Sequence, residues 1–230
     1  MITETAPAER AATVRITIVY DNTTLDERCP ADHGFACVVD AHGLRVLFDT
    51  GASGDILLRN MTHLGLDPAS VDRVFISHPH WDHAGGLEAL LDEVQVPVYL
   101  PASAEPPGDL VEQLHRLSGP ATIAPGLHST GEMPAVDYPL HEHSLIVDAP
   151  GGSVVVVGCA HPGVGRILGA AAERGPVRAL VGGLHGFLET DLLAPLALVC
   201  PAHCTKRGDE IRAAWPDKVV PAGVGRVLEI

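Results

Sequence analysis

The chain has 230 residues, of which 46% are hydrophobic and 4% aromatic, and it carries a formal net charge of -14. That length suits a single α/β sandwich with a sizeable core, and the apolar share excludes a disordered chain. So acidic a chain lacks the electrostatic footprint for nucleic-acid backbones or anionic lipid, and no apolar run is long enough to span a membrane.

Residues 1–12 are polar and rich in Ala, Glu and Thr. They lack the basic start and apolar stretch of a secretory signal, so a flexible tail is expected ahead of one domain over 13–230, in a cytoplasmic protein. Residues 14–20 alternate and are β-branched, which predicts a strand. Residues 35–40 and 44–48 predict a hairpin around His42-Gly43. Ser53 reads as the N-cap of a helix to about residue 64, with Asp55 in its first turn. Residues 73–76 predict a short buried strand running into Ser77-His78-Pro79-His80-Trp81-Asp82-His83. A helix over 86–93 and a strand over 97–100 follow, then a surface excursion over 101–120 with one short helix near 110–117. Strands are predicted over 121–128, 144–148 and 153–157, the last apolar on both faces and therefore central. The final third switches to strand–loop–helix units, with strands over 177–181 and 196–199, helices to about 174 and over 209–214, and a closing strand over 225–230. Hairpins followed by β/α units point to two sheets packed face to face with helices outside.

The five cysteines, Cys29, Cys37, Cys159, Cys200 and Cys204, are odd in number and show no framework spacing, which suits reduced thiols. Cys200 and Cys204 lack a second pair at zinc-knuckle spacing and read as small buried apolar residues.

Histidine carries the chemical signal. His78, His161 and His203 each stand just past a buried strand in a Gly/Pro-rich loop, and His185 is a fourth case. Ligands in layered α/β folds collect at the carboxyl ends of strands. In an extended loop alternate residues face one way, so His78 and His80 can hold one metal while Asp82 and His83, facing elsewhere, hold a second. Two such ions can clamp a hydrolytic transition state. Nitrogen and carboxylate donors suit Zn²⁺ first, with Mn²⁺ or Fe²⁺ as alternatives, in one or two copies.

The run His78-Pro79-His80-Trp81-Asp82-His83-Ala84-Gly85-Gly86 resembles the signature loop of the metallo-β-lactamase superfamily. Leu47-Phe48-Asp49-Thr50-Gly51 resembles the preceding strand-end motif, Gly158-Cys159-Ala160-His161 the third metal motif, and Pro201-Ala202-His203-Cys204-Thr205 the last. The resemblance covers most of the chain and implies an α/β, four-layer αββα sandwich. It implies a metal held by His78, His80 and His161, a second by Asp82, His83 and His203, and Asp49 orienting the loop from behind. The subgroup most similar carries Gly-Cys-Ser/Ala-His, Gly-Gly-x-His and His-Cys-Thr, and many of its members are dihydropterin–ribofuranosylaminobenzene phosphate synthases. Two departures stand out. Gly183-Leu184-His185 occupies the place of the family's bridging Asp, so His185 could bind one metal, act as a general acid/base or contact substrate. Lys206-Arg207 replaces a usual Gly and could hold an anionic substrate group, although a solvated helix start is the plainer reading.

His33 is a candidate for lining the pocket, whereas His141 and His143 are expected solvated in a polar turn. Trp81 is expected to pack beneath the site. The expected activity is hydrolysis of an ester, lactone, amide or phosphoester bond of a small molecule, with activated water as nucleophile and Asp82 or His185 moving protons. A pterin/ribose-phosphate transferase and a non-catalytic metal module are the alternatives. A diiron oxidoreductase is disfavoured, because its pattern wants Glu at His80.

Overall fold

The β-branched runs at the start of the chain pair with one another, which satisfies their backbone groups. The computed structural model describes residues 13–105 and 113–230. β1 (Arg15–Tyr20), β2 (Ala36–Ala41) and β3 (Leu44–Phe48) form an antiparallel meander. His42 and Gly43 turn the β2–β3 hairpin with φ of 53° and 77°, as a two-residue turn of this hand requires. α1 (Gly54–His63) follows Ser53, whose backbone is extended as at an N-cap but whose side chain makes no capping bond. β4 (Arg73–Phe75) pairs parallel with β3. α2 (Trp81–Ala84) and α3 (Leu87–Glu93) then lead to β5 (Val98–Pro101) and β6 (Leu114–Leu117), also parallel.

The second sheet opens with β7 (Ala121–Ala124) and β8 (Leu127–Ser129). A small hairpin, β9 (Met133–Pro134) with β10 (His141–Glu142), precedes β11 (Leu145–Ala149) and β12 (Gly152–Val157). α4 (Val164–Ala172), β13 (Val177–Gly183), β14 (Leu198–Ala202) and α5 (Gly208–Ala214) follow, and β15 (Val227–Glu229) returns to β1. The sheet orders are β15-β1-β2-β3-β4-β5-β6 and β14-β13-β12-β11-β8-β7.

The layers follow from alternation. Ile16, Phe48 and Phe75 of the first sheet face Leu145, Val154 and Val156 of the second across the central core. Leu57 and Met61 of α1, with Leu87 and Leu90 of α3, cover Val38, Leu47 and Val74 on the outer face. Ile167 of α4 and Ile211 of α5 cover Val155, Val157 and Leu180. Each fully buried Val, Leu or Phe contributes about 1.5–3 kcal/mol. The architecture is the expected four-layer αββα sandwich, with β12 central. No described helix is long and apolar enough to cross a membrane.

Some expectations are corrected. Of the helix expected near 110–117, residues 110–112 lie outside the described residues, as do residues 1–12. Leu114–Leu117 is a strand on the edge of β5, where the open backbone groups of β5 outweigh the weak local preference of four residues. The strand expected over 121–128 is broken at Pro125-Gly126, with Gly126 at φ 73°, into the antiparallel pair β7 and β8. His143 is fully buried rather than solvated. Its ring stacks on Phe75 at 4.0 Å between centroids, Nε2 donates to Ile76 O at 2.8 Å, and Nδ1 accepts from Ser129 Oγ at 3.0 Å. Burial pushes its pKa down to about 3, which keeps the ring neutral.

Candidate metal centre

Five strands that lie parallel within their sheets (β3, β4, β12, β13 and β14) end along one edge of the sandwich, and the functional side chains follow them. Asp49, Ala160, His185 and His203 all sit in the left-handed region, with φ of 54°, 58°, 39° and 45°. Such backbone costs of order 1–3 kcal/mol per residue and turns each loop sharply off its strand. Gly158 permits a close approach, because a Cβ there would strike the Ser77 side chain. Its absence brings the β4 loop against the β12 loop.

His78 and His80 converge as expected, with His78 Nε2 3.0 Å from His80 Nδ1. The rest of the loop is not extended. Residues 81–84 form the helical turn α2 behind His80, so Asp82 and His83 leave the backbone in different directions. Trp81 is turned outward on this turn and is 64% exposed, at the cleft mouth rather than beneath the site.

Asp49 sets the protons behind this loop. It is fully buried and accepts from Ser77 N (2.7 Å), Ser77 Oγ (2.8 Å) and His83 Nδ1 (2.7 Å). A carboxylate has no proton to give, so the His83 proton stays on Nδ1 and Nε2 is left as a lone pair. Ser77 spends its only proton on Asp49. Its oxygen therefore accepts from His78 Nδ1 at 2.9 Å, and His78 Nε2 is also a lone pair. Burial, reinforced by the neighbouring histidines, holds the His78 pKa well below the imidazole range. Burial likewise lowers His80, and burial with His185 and His80 pushes His161 down to about 4. Burial alone would lower His83, but the Asp49 carboxylate raises it instead.

Asp82 forms the opposite side. Its Oδ2 lies 3.2 Å from His33 Nε2, 3.2 Å from His203 Nε2 and 3.9 Å from His83 Nε2. Burial pushes its carboxyl up, yet His203 and His83 outweigh this and hold it well below the carboxylate range. Residues that the sequence reading missed support this half. Asp21 Oδ1 accepts from His203 N at 2.8 Å, and Asn22 Oδ1 lies 2.8 Å from His203 Nδ1. Glu142, fully buried, accepts the backbone N–H groups of Gly158, Cys159 and Ala160 on Oε1 and of His161 on Oε2, at 2.8–3.2 Å. It shapes the whole third loop, and burial pushes its pKa up to about 7.

The remaining expected residues divide. His185 and Lys206 line an open cleft of about 510 Å³ together with His33, Tyr138 and Trp81. Arg207 turns away at the start of α5 and pairs with Glu210, so Lys206 is the cation that faces the cleft. Cys200 is core, as expected, but Cys204 lines the cleft beside Cys159.

A divalent metal fits this arrangement. His78, His80 and His161 bring donor atoms within 4.8 Å of one another, and His33, Asp82 and His203 do the same. Among the described residues, the buried ring nitrogens lacking a hydrogen-bond partner are both of His161, His185 Nδ1 and His203 Nε2. The last is close to Asp82 but not aligned with it for a hydrogen bond. Buried polar atoms are seldom left so, and a cluster of unpartnered imidazole nitrogens around one space is the donor set of Zn²⁺-type ions.

Comparison with known proteins agrees with this geometry. The family model described as the metallo-beta-lactamase superfamily matches residues 30–203. A 7,8-dihydropterin-6-methyl-4-(beta-D-ribofuranosyl)-aminobenzene-5'-phosphate synthase of Methanocaldococcus jannaschii is 25% identical over 240 aligned positions, covering 76% of this chain and 81% of its own. Among solved structures, Tm1679, a metal-dependent hydrolase of the beta-lactamase superfamily, superposes with a TM-score of 0.79 at 26% identity, covering 94% of this chain and 99% of its own. A diphosphatase from the PhnP family shares the fold, with a TM-score of 0.65 at 14% identity over 95% of this chain and 97% of its own. The chain belongs to the metallo-beta-lactamase superfamily.

Proposed function

We propose that this protein is a metal-dependent hydrolase of a small anionic molecule, cleaving an ester, lactone, amide or phosphoester bond. The observation that carries the reading is the convergence of the neutral His78, His80 and His161 rings on an open cleft, with the ionised Asp82 opposite. The hydrolase name of the structural relative at 26% identity supports it. His78, His80 and His161 would hold one ion, and Asp82, His83 and His203 a second, with Zn²⁺ first and Mn²⁺ or Fe²⁺ as alternatives. A bound ion of this kind activates water near neutral pH and polarises the scissile carbonyl or phosphoryl group.

The chain's own residues do the rest. Asp49 keeps the His78 and His83 protons on Nδ1, away from the cleft. His185 Nδ1, buried and unpartnered, is placed to hand a proton to the leaving group. Asp82 Oδ2 accepts a proton where the second ion is absent. Lys206 and His33 on the cleft wall hold an anionic group of the substrate. The net charge of -14 speaks against nucleic acid and anionic membrane as partners, and the reading places the protein in the cytoplasm.

The test is elemental analysis joined to turnover on panels of esters, lactones and phosphodiesters. His78→Ala and His161→Ala should lose both metal and turnover. A metal-free protein with full activity would end this reading. A second reading, a pterin and ribose-phosphate transferase, draws on the synthase relative and on Trp81 and Tyr138, two aromatic faces at the cleft. Incubation with both substrates and mass spectrometry of the product decides between them.

A further inference from the structure

Cys29, Cys37 and Cys200 are buried away from the cleft, but Cys159 is not an inert core thiol. Its Sγ lies 3.2 Å from His83 Nε2, the nitrogen that Asp49 leaves without a proton. It belongs to three donor groups, with His78 and His83, with His161 and His185, and with His203 and Cys204; within each group the donor atoms lie within 4.8 Å of one another. No other side chain among the described residues joins so many of these groups. One sulfur therefore adjoins both halves of the centre, beside the orphaned nitrogens of His161 and His203.

The loop that faces it offers no competing anion. Residues 182–185 read Gly-Gly-Leu-His and offer no carboxylate. A Cβ on Gly183 would come within 2.5 Å of Gly158 O and 2.6 Å of Cys204 Sγ, so the bare glycine lets this loop close on the Cys159 loop and leaves room for the Cys204 thiol beside it. Two dications side by side repel strongly unless an anion stands between them. A neutral imidazole carries no charge for that purpose, whereas a thiolate carries charge and several lone pairs.

We propose that Cys159 enters the metal centre as a thiolate donor between the His78/His80/His161 set and the Asp82/His83/His203 set. It takes the place that a carboxylate would otherwise fill, and it biases the centre toward thiophilic ions such as Zn²⁺, Co²⁺ or Cd²⁺ over Mg²⁺ or Mn²⁺. The sulfur–metal bond forms as the S–H bond breaks, and the proton leaves to solvent. The inference rests on the metal-centre reading above.

Reduced, metal-free protein is titrated with Co²⁺, and the near-ultraviolet thiolate-to-cobalt charge-transfer band is read per bound ion. The wild type should show the band. Cys159→Ser should lose it and weaken cobalt binding by about tenfold or more. Cys204→Ser should keep it. X-ray absorption of Zn²⁺-loaded Cys204→Ser should still show sulfur around zinc, a result that stands even if Cys159→Ser fails to fold. Cobalt bound with no band in the wild type overturns this inference and leaves the metal-centre reading intact. No cobalt bound at all overturns both. A band lost in Cys204→Ser and kept in Cys159→Ser assigns the donor to Cys204 and overturns the proposal.

Discussion

Asp49→Asn tests the proton arrangement with almost no change of shape. The buried carboxylate accepts three hydrogen bonds, two of them on Oδ2 from Ser77 Oγ and His83 Nδ1. In the variant Oδ1 still accepts from Ser77 N, but an NH₂ group replaces Oδ2. Its two protons now point at Ser77 Oγ and His83 Nδ1, where two donors stood. Unrelieved donor–donor contacts would cost about 1–3 kcal/mol each. Both can be relieved by moving protons. His83 shifts its proton to Nε2, and Ser77 turns its hydroxyl toward His78 Nδ1, which sends the His78 proton to Nε2 as well. The fold is then kept, but two nitrogens that should face a metal carry protons. The expected loss of metal affinity is about 10–100-fold, or about 1.4–2.7 kcal/mol, with little change in the melting temperature of the metal-free protein. Calorimetric titration with Zn²⁺ gives the affinity, and ¹⁵N NMR of the imidazoles gives the tautomers. If affinity and the His78 and His83 tautomers both stay as in the wild type, Asp49 does not act through them and the reasoning fails.

Three further outcomes are expected. Glu142 has its pKa raised to about 7 from 4.5, so in the metal-free protein it contributes stability below pH 4.5 that is lost as pH rises through 7. Glu142→Gln lacks that loss, so the stability gap between wild type and variant in urea should narrow by up to about 3 kcal/mol between pH 4.5 and 8; a constant gap contradicts the burial argument. His143 has a folded pKa of about 3, below the ordinary imidazole value of 6.5, so its contribution is present above pH 6.5 and lost as pH falls toward 3. His143→Gln should unfold less steeply in acid, followed by circular dichroism, and an unchanged acid limb counts against a neutral buried ring. Lys206→Ala should raise KM for an anionic substrate by about tenfold while leaving kcat near its wild-type value, as expected for one charged hydrogen bond held equally in ground and transition states; equal KM values for the two proteins would remove Lys206 from the binding role.

Residues contiguous in sequence were the readable part of the site. His78 to His83 follow a buried strand directly, and His161 and His203 repeat the same strand-end pattern, so their meeting followed from sheet geometry. The direction of Trp81 was not readable, because it depends on a single helical turn after His80. Asp21, Asn22 and Glu142 escaped because each acts on backbone or side chains far along the chain. Asp21 and Asn22 lie more than 180 residues before the His203 that they hold. Glu142 did leave a signal, a lone acid between His141 and His143, but an acid between two histidines also fits a wet turn. Cys159 was absorbed into a motif defined by its neighbour His161. The β6 edge strand was hidden because four residues carry too little local preference to oppose an open sheet edge.

The tie between His203 and the Asp21–Asn22 corner has a consequence for how the protein is made. Asp49 and the His78–His83 loop are made well before β14, which pairs with β13 and carries the chain to His203, 120 residues after His83. Contacts so distant along the chain form late, because closing long loops must precede any reward from them. A nascent chain therefore holds an incomplete set of donors until β14 and His203 have emerged. Metal capture would then lag behind the appearance of sheet structure during refolding, and a chain interrupted before β14 would lack whatever stability an ion adds. A bound ion would act as a late lock on sheets already formed rather than as a seed around which they form.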